Sequence, residues 1–447
     1  MSGAFSNSTD TMMWLASSVV IVLTSLFFAY PQPPLRFEQD ILPLARTYAA
    51  KNGTTKNRTI ATKETTKTTT TTTTSSTDTN KTPLKGICVV ITGATGGIGL
   101  GLVEQFALLG ATVVALGRSP DKLKALKDRW PDNKDIVTME VQLTDLMSVQ
   151  KTANDIVTKF SSIDILINNA GIHYVAVTAT NSPVHPPKTH QGFDLSWGVN
   201  YMSHFLLTEK LLQSLQTSKH QPTIVQISSS FHWAVDGSDL IPSPSPANDE
   251  NNGQTTLNDA PPLAAIPGIF TNGIFGPQRA YANSKFAQIL HARALQRRYP
   301  TLVVRSICPC WVGTGIAGTG LHGLFLGQTA YPNNGYGIKS ALVAALDTTK
   351  RDSSSSSSSS TSSADWYTNS QATTMAEYFP RIYHAPWFYK YQLRDAVALT
   401  FAGVLWTFQK FFAVVAPRTS APETYMEDLQ ESLYEWSLES VKPFLGT

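Results

Sequence analysis

Cysteine is scarce. The chain has three, Cys88, Cys308 and Cys310, two of them separated by one residue. That supports neither a disulfide framework nor a four-ligand zinc site, so no metal is expected and a reducing compartment is. An excess of one charge is also missing. The formal net charge is +3 over 447 residues, and no lysine and arginine cluster is interleaved with aromatics, which argues against nucleic acid as a partner. Long apolar runs are few. The first lies in a charge-free stretch between Asp10 and Arg36, where Met12 to Tyr30 would form a helix about 28 Å long, enough to span a bilayer. A cleavable signal peptide is the rival reading, but a basic leading region and a small-x-small cleavage site are both absent. We therefore expect a single-pass anchor in residues 1–35. Arg36, Arg46, Lys51, Lys56 and Arg58 accumulate after it, which by the positive-inside rule puts the main domain on the cytosolic side, with the endoplasmic reticulum as the expected membrane.

Residues 36–83 are rich in Thr, Asn and Lys, with an unbroken Thr run from Thr68 to Thr74, and read as a disordered tether. Asn7, Asn52, Asn57 and Asn80 lie in N-x-S/T triplets, and glycans on the last three would contradict cytosolic placement. A serine run makes 353–364 a second linker, which leaves 84–352 as the main domain and 365–447 as a C-terminal extension.

From Leu84 the pattern becomes short β-branched runs separated by helical stretches: GICVVITG, ATVVALG, IVTMEVQL, IDILINNAG, TIVQISS and LVVRSICP. Apolar runs of this kind, buried on both faces, predict a parallel sheet covered by helices. Ser119-Pro120-Asp121 opens one of those helices with a cap, a proline in the first turn and an acid beside it.

The first strand runs into Thr92-Gly93-Ala94-Thr95-Gly96-Gly97-Ile98-Gly99, where missing Cβ atoms let backbone N–H groups and a helix N-terminus approach a pyrophosphate. At the end of the second strand an NAD enzyme would want an acid for the ribose 2′-hydroxyl. The sequence has Gly117-Arg118-Ser119 instead, and the guanidinium of Arg118 suits a 2′-phosphate, so NADP(H) is expected over NAD. Tyr281 and Lys285, four apart in an amphipathic stretch that continues to Arg298, share one helix face. An ammonium beside a phenol favours the phenolate and brings the proton within reach of neutral-pH chemistry.

Together these motifs resemble the classical short-chain dehydrogenase/reductases, in particular their retinol-dehydrogenase-like branch. TGxxxGxG is matched at Thr92 to Gly99, NNAG at Asn168 to Gly171, the strand-end serines at Ser228-Ser229, and YxxSK at Tyr281 to Lys285, over about three fifths of the chain. The resemblance implies a Rossmann-type doubly wound α/β sheet with helices on both faces. It implies that Tyr281 moves the proton, Lys285 holds the nicotinamide ribose and tunes Tyr281, Ser229 hydrogen-bonds the reacting oxygen, and Asn200 anchors a proton-relay water. The cofactor cleft would be lined by Thr92, Gly93, Gly97, Ile98, Gly99, Arg118, Asn169, Ala170 and Gly171, with Pro309 and Thr314 beside the carboxamide. Many members pair through helices next to the catalytic one, so a homodimer is a candidate assembly.

Three departures stand out. Gln142 replaces the usual Asp beside the adenine, Cys310 replaces the glycine after Pro309, and Ser229 and Tyr281 are 52 positions apart, so Ile241 to Pro262 must loop out on the substrate side. His173 and His232 fall near the cleft and read as pocket wall rather than as catalysts, since a tyrosine already supplies the acid. After Tyr378 come Tyr383, Trp387, Phe388, Tyr389 and Lys390, then Ala396 to Ala416 with one charge. That segment reads as an interfacial or re-entrant helix through which a lipophilic substrate would enter. The expected activity is NADP(H)-linked interconversion of an alcohol and an aldehyde or ketone on a retinoid, sterol or fatty-aldehyde type of molecule. Reduction of a tetrapyrrole double bond, as in protochlorophyllide reductases, and a non-catalytic nucleotide-sensing membrane scaffold are the alternatives.

Overall fold

The computed structural model describes residues 37–52, 82–173, 187–229, 232, 235–238, 240–241, 275–309, 336–348, 366–368 and 420–446. The sheet follows from the β-branched runs. Its strands are β1 (Cys88–Thr92), β2 (Thr112–Gly117), β3 (Ile136–Glu140), β4 (Ile165–Asn168), β5 (Thr223–Ile227), β6 (Val303–Cys308) and β7 (Trp366–Thr368). All pair in parallel, in the order β3-β2-β1-β4-β5-β6-β7. The chain therefore winds outward from β1 in one direction and from β4 in the other, and the crevice above their adjoining C-terminal ends is where such sheets bind ligands. The seventh strand is a short one that the sequence patterning did not mark.

Alternation along each strand feeds two cores. Val90, Val114 and Leu116 point to one face, together with α4 (Leu146–Lys159), α5 (Ser203–Gln216), α6 (Phe275–Arg298) and α8 (Glu427–Leu445). Val89, Ile91, Val113 and Ala115 point to the other, with α1 (Leu42–Lys51), α2 (Gly97–Leu108), α3 (Pro120–Asp128) and α7 (Tyr336–Leu346). Ser119 caps α3 by accepting from the Lys122 N–H at 3.4 Å. Each fully buried aliphatic side chain in these layers contributes roughly 1.5–3 kcal/mol, and strands buried on both faces are why the sheet is parallel rather than a half-wet meander.

Two expectations change. Residues 37–52 are not tether: a π-helical turn at Phe37–Ile41, which buries Ile41, leads into α1, which buries Ala45, Tyr48 and Ala49. These recur at helical spacing, a stripe that disappears when composition is averaged over the Thr-rich stretch. The Tyr48 hydroxyl donates to the Gln221 carbonyl at 3.2 Å and Lys51 Nζ to that of Thr348 at 2.8 Å. Likewise α6 is not amphipathic. From Ala280 to Leu295 it is buried on every side, so its polar residues are internal groups with internal partners.

The apolar segments 12–30 and 396–416, the Thr and Ser runs, and most of the 241–262 loop lie outside the described residues. Among the described residues, no helix is long and apolar enough to cross a membrane. The closing helix α8 packs along α6, where Arg297 and Arg298 pair with Glu431, the latter bond at 2.7 Å. Tyr48→Ala should remove a fully buried ring and lower unfolding stability by about 3 kcal/mol; an unchanged urea midpoint would mean that α1 is not docked.

Candidate active site

The glycine turn after β1 is held by its neighbour strand. Thr92 Oγ1 accepts from the Asn169 and Ala170 N–H groups, each at 2.9 Å, and Asn169 Nδ2 donates to the Thr92 carbonyl at 2.8 Å. Gly93 sits at φ +65°, and a Cβ on Gly99 would lie 2.2 Å from the Gly93 carbonyl oxygen, so neither position accepts a side chain. Gly96 caps α2 without a side-chain bond, and a Cβ there would meet nothing within 4 Å. The first-turn N–H groups of α2 begin at Gly97 and Ile98, directly after this open position, and a helix N-terminus of this kind binds a phosphate. At the far corner Arg118 is exposed, and Gln142 Nε2 donates to its carbonyl at 2.9 Å and to Glu140 at 3.2 Å. These residues fit a dinucleotide.

The catalytic candidates converge at the strand ends beside this turn. Ser229, just past β5, hydrogen-bonds the Tyr281 hydroxyl. Ser228 points the other way and donates to the Lys285 carbonyl at 2.6 Å, pinning the strand end to α6. Lys285 Nζ lies 5.6 Å from the Tyr281 ring centroid and donates to the backbone carbonyl of Ile227 at 2.8 Å and to the side-chain Oε1 of Gln288 at 3.1 Å. The ring of His173 stacks on Tyr281 with centroids 4.5 Å apart. Asn200 lies on a π-helical segment, Gly198–Met202, that leads into α5. Its side chain clamps Ile172, accepting from its N–H at 2.8 Å and donating to its carbonyl at 2.9 Å, and so positions the segment after Asn169 to Gly171. Pro309 follows β6, half-buried; Cys310 and Thr314 lie outside the described residues.

Burial sets the electrostatics. It pushes the Tyr281 phenol above its ordinary 10, an effect only partly offset by the Ser229 hydrogen bond, and lowers Lys285 to about 7. Desolvation thus outweighs the expected pull toward phenolate, and near neutral pH the site holds a protonated phenol beside a half-charged amine. His232 is fully buried, accepts from the Ala421 N–H at 3.0 Å and donates through Nδ1 to the Ser229 carbonyl at 2.7 Å. Burial lowers its pKa to about 3, so it is a neutral tie between the Ser229 loop and the C-terminal segment. Two residues escaped sequence reading altogether, His204 and Gln288. Both are buried polar groups one turn from Asn200 and Lys285, and that spacing was the available signal.

Residues 87–233 match the short chain dehydrogenase family model. A short chain dehydrogenase/reductase of Colletotrichum higginsianum, dpchH, is 32% identical over 49% of this chain and 52% of its own length. Human polyprenol dehydrogenase is 27% identical over 46% of this chain and 54% of its own. Human retinol dehydrogenase 13 is 29% identical, covering 60% of this chain and 73% of that relative. The chain thus spans about half the length of the first two relatives.

Lys285 also links stability to pH. Its folded pKa lies below its unfolded one, so between about 7 and 10.5 the unfolded state binds the extra proton and stability rises with pH; below about 7 the full burial penalty applies. Lys285→Met should therefore gain on wild type by about 4 kcal/mol at pH 6 compared with pH 10. A pH-independent difference in unfolding free energy would contradict the lowered pKa.

Proposed function

We propose that the chain is a short-chain dehydrogenase/reductase of the retinol-dehydrogenase-like branch, which its match to the family model and its likeness to human retinol dehydrogenase 13 support, and that it reduces the carbonyl of a lipophilic aldehyde or ketone with NADPH. The observation that carries this reading is the hydrogen bond between the Ser229 and Tyr281 hydroxyls, beside Lys285 and above the glycine turn. A carbonyl oxygen that takes the place between the two hydroxyls receives a bond from each. As charge develops on that oxygen, Ser229 stabilises it and Tyr281 delivers its proton. Burial keeps the phenol protonated at neutral pH, the form that reduction needs. Lys285 would hold the nicotinamide ribose and, when charged, ease loss of the Tyr281 proton; Asn200 holds the cleft segment through Ile172. The cofactor supplies the hydride when bound.

Arg118 at the end of β2 supports NADPH over NADH, since no acid follows Gly117 to repel a 2′-phosphate. A lipophilic substrate is supported by the apolar segments 12–30 and 396–416, which would hold the domain at a membrane, and by the retinol and polyprenol dehydrogenases among the relatives. Cytosolic placement is supported at Asn52. Its Nδ2, the atom an N-linked sugar would occupy, donates to the Tyr48 carbonyl at 2.8 Å, and its Oδ1 accepts from the Gln221 N–H at 2.6 Å, so the sugar would have to compete with the Tyr48 bond.

Detergent-solubilised full chain, given NADPH or NADH with all-trans-retinal, decanal and a steroid ketone, should turn over at least one of them. Tyr281→Phe should lower kcat by about a thousandfold; turnover kept in that variant ends the proposed acid role. Arg118→Ala should cut the NADPH over NADH ratio of kcat/KM by about tenfold, and an unchanged ratio would remove Arg118 from cofactor choice.

A further inference from the structure

We propose that His204 and Gln288 are positioning residues that join the glycine turn to Lys285 through one continuous, fully oriented chain of buried hydrogen bonds. The proposal rests on the reading that Lys285 holds the nicotinamide ribose, and it deepens that reading. Thr92, Asn200, His204, Gln288 and Lys285 are each at most 2% exposed, so water does not compete for their bonds.

The direction of every bond can be worked out. Thr92 Oγ1 already accepts from two N–H groups, and its own proton points to His204 Nε2 at 2.9 Å. Nε2 is therefore the acceptor, and the ring proton sits on Nδ1, which donates to the Asn200 carbonyl at 2.9 Å. Burial supports this state by lowering the His204 pKa to about 4, so the ring stays neutral in a single tautomer. Gln288 Nε2 donates to the same Asn200 carbonyl at 3.0 Å, while its Oε1 accepts from Lys285 Nζ at 3.1 Å. A backbone carbonyl can only accept, so the amide nitrogen must face Asn200 and the amide cannot flip. Turning any one member breaks two bonds inside the core, at a site where unmet polar groups are expensive.

The chain thus runs from the loop that receives the pyrophosphate to the amine that receives the ribose. It sets the distance between the place for the pyrophosphate and the place for the nicotinamide ribose. Gln288 has a second effect, because its Oε1 and the Ile227 carbonyl are the oxygens that receive Lys285 Nζ. The titratable groups facing that amine are Tyr281 on its own helix, Cys308 on β6 and His204 on α5, none of them a carboxylate. The Gln288 amide oxygen therefore helps decide how much of Lys285 is charged near neutral pH.

The test uses detergent-solubilised full chain and reads NADPH affinity by fluorescence from pH 6 to 10, with decanal kinetics and unfolding midpoints alongside. In wild type, affinity should weaken as Lys285 loses its proton. Gln288→Leu should move that midpoint down by about one pH unit, and Gln288→Glu should move it up by about one. A role in packing alone would not shift the two variants in opposite directions, so equal, absent or same-sign shifts overturn the proposal. The second pair lies on another helix and reads the same chain if the Gln288 variants fail to fold. His204→Leu should weaken NADPH binding about tenfold, raising KM for NADPH more than it lowers kcat, and His204→Asn, which can still donate to the Asn200 carbonyl, should recover most of the loss. Equal losses in both overturn the proposal. If wild type binds NADPH but turns over no aldehyde or ketone, the proposed activity fails while the midpoints still decide this inference; if it binds no NADPH, both fall.

Discussion

An amine held in the core by neutral oxygens is the constraint on which the rest of this molecule turns. Lys285 sits almost fully buried, and the partners it donates to are the backbone carbonyl of Ile227 and the side-chain Oε1 of Gln288, not a carboxylate. Burying a cation in this way costs stability, and the usual remedy, an ion pair, would lock the charge in place. Two dipoles satisfy the geometry but leave the proton labile, so the pKa falls to about 7. A group poised there is suited to chemistry at neutral pH, and its destabilising effect has to be offset elsewhere.

The offset comes from the layers around it. Residues of α6 from Ala280 to Leu295 are enclosed on all sides, by the sheet, by α5 and by the closing helix α8. Polar groups on that helix therefore cannot turn to solvent and must find fixed partners. Arg293 donates to Ser420 and Thr424, and the Tyr434 hydroxyl donates to Glu209 on α5. His232 ties the Ser229 loop to Ala421. The last residues of the chain thus hold both Ser229 and the helix that bears Tyr281 and Lys285.

The crevice itself follows from winding. Strands β1 and β4 are neighbours whose chains leave in opposite directions, and the segments after them meet at Thr92, Asn169 and Ala170. Glycine at 93 and 99 permits that approach, and the clamp of Asn200 on Ile172 completes the floor. Rigid neighbours of this kind keep a reacting geometry within tenths of an ångström, which is where much of an enzyme's rate enhancement originates.

The amino-acid sequence alone determined the β-branched runs, the glycine turn, and the four-residue spacing that sets Tyr281 and Lys285 on one helix face, because each depends on residues close together along the chain. Hence six of the seven strands were legible in it, and the resemblance its motifs carry pointed to Ser229, Tyr281 and Lys285, which the structure brings together. The docking of α1 was hidden by the Thr-rich composition around it, and β7 is three residues long, too short to carry a period. Only the tertiary structure decided that α6 is buried on every side, that desolvation outweighs the neighbouring amine at Tyr281, and that His204 and Gln288 connect segments almost 200 residues apart. Burial and hydrogen-bond direction depend on what arrives from elsewhere in the chain, and local patterning holds no record of that.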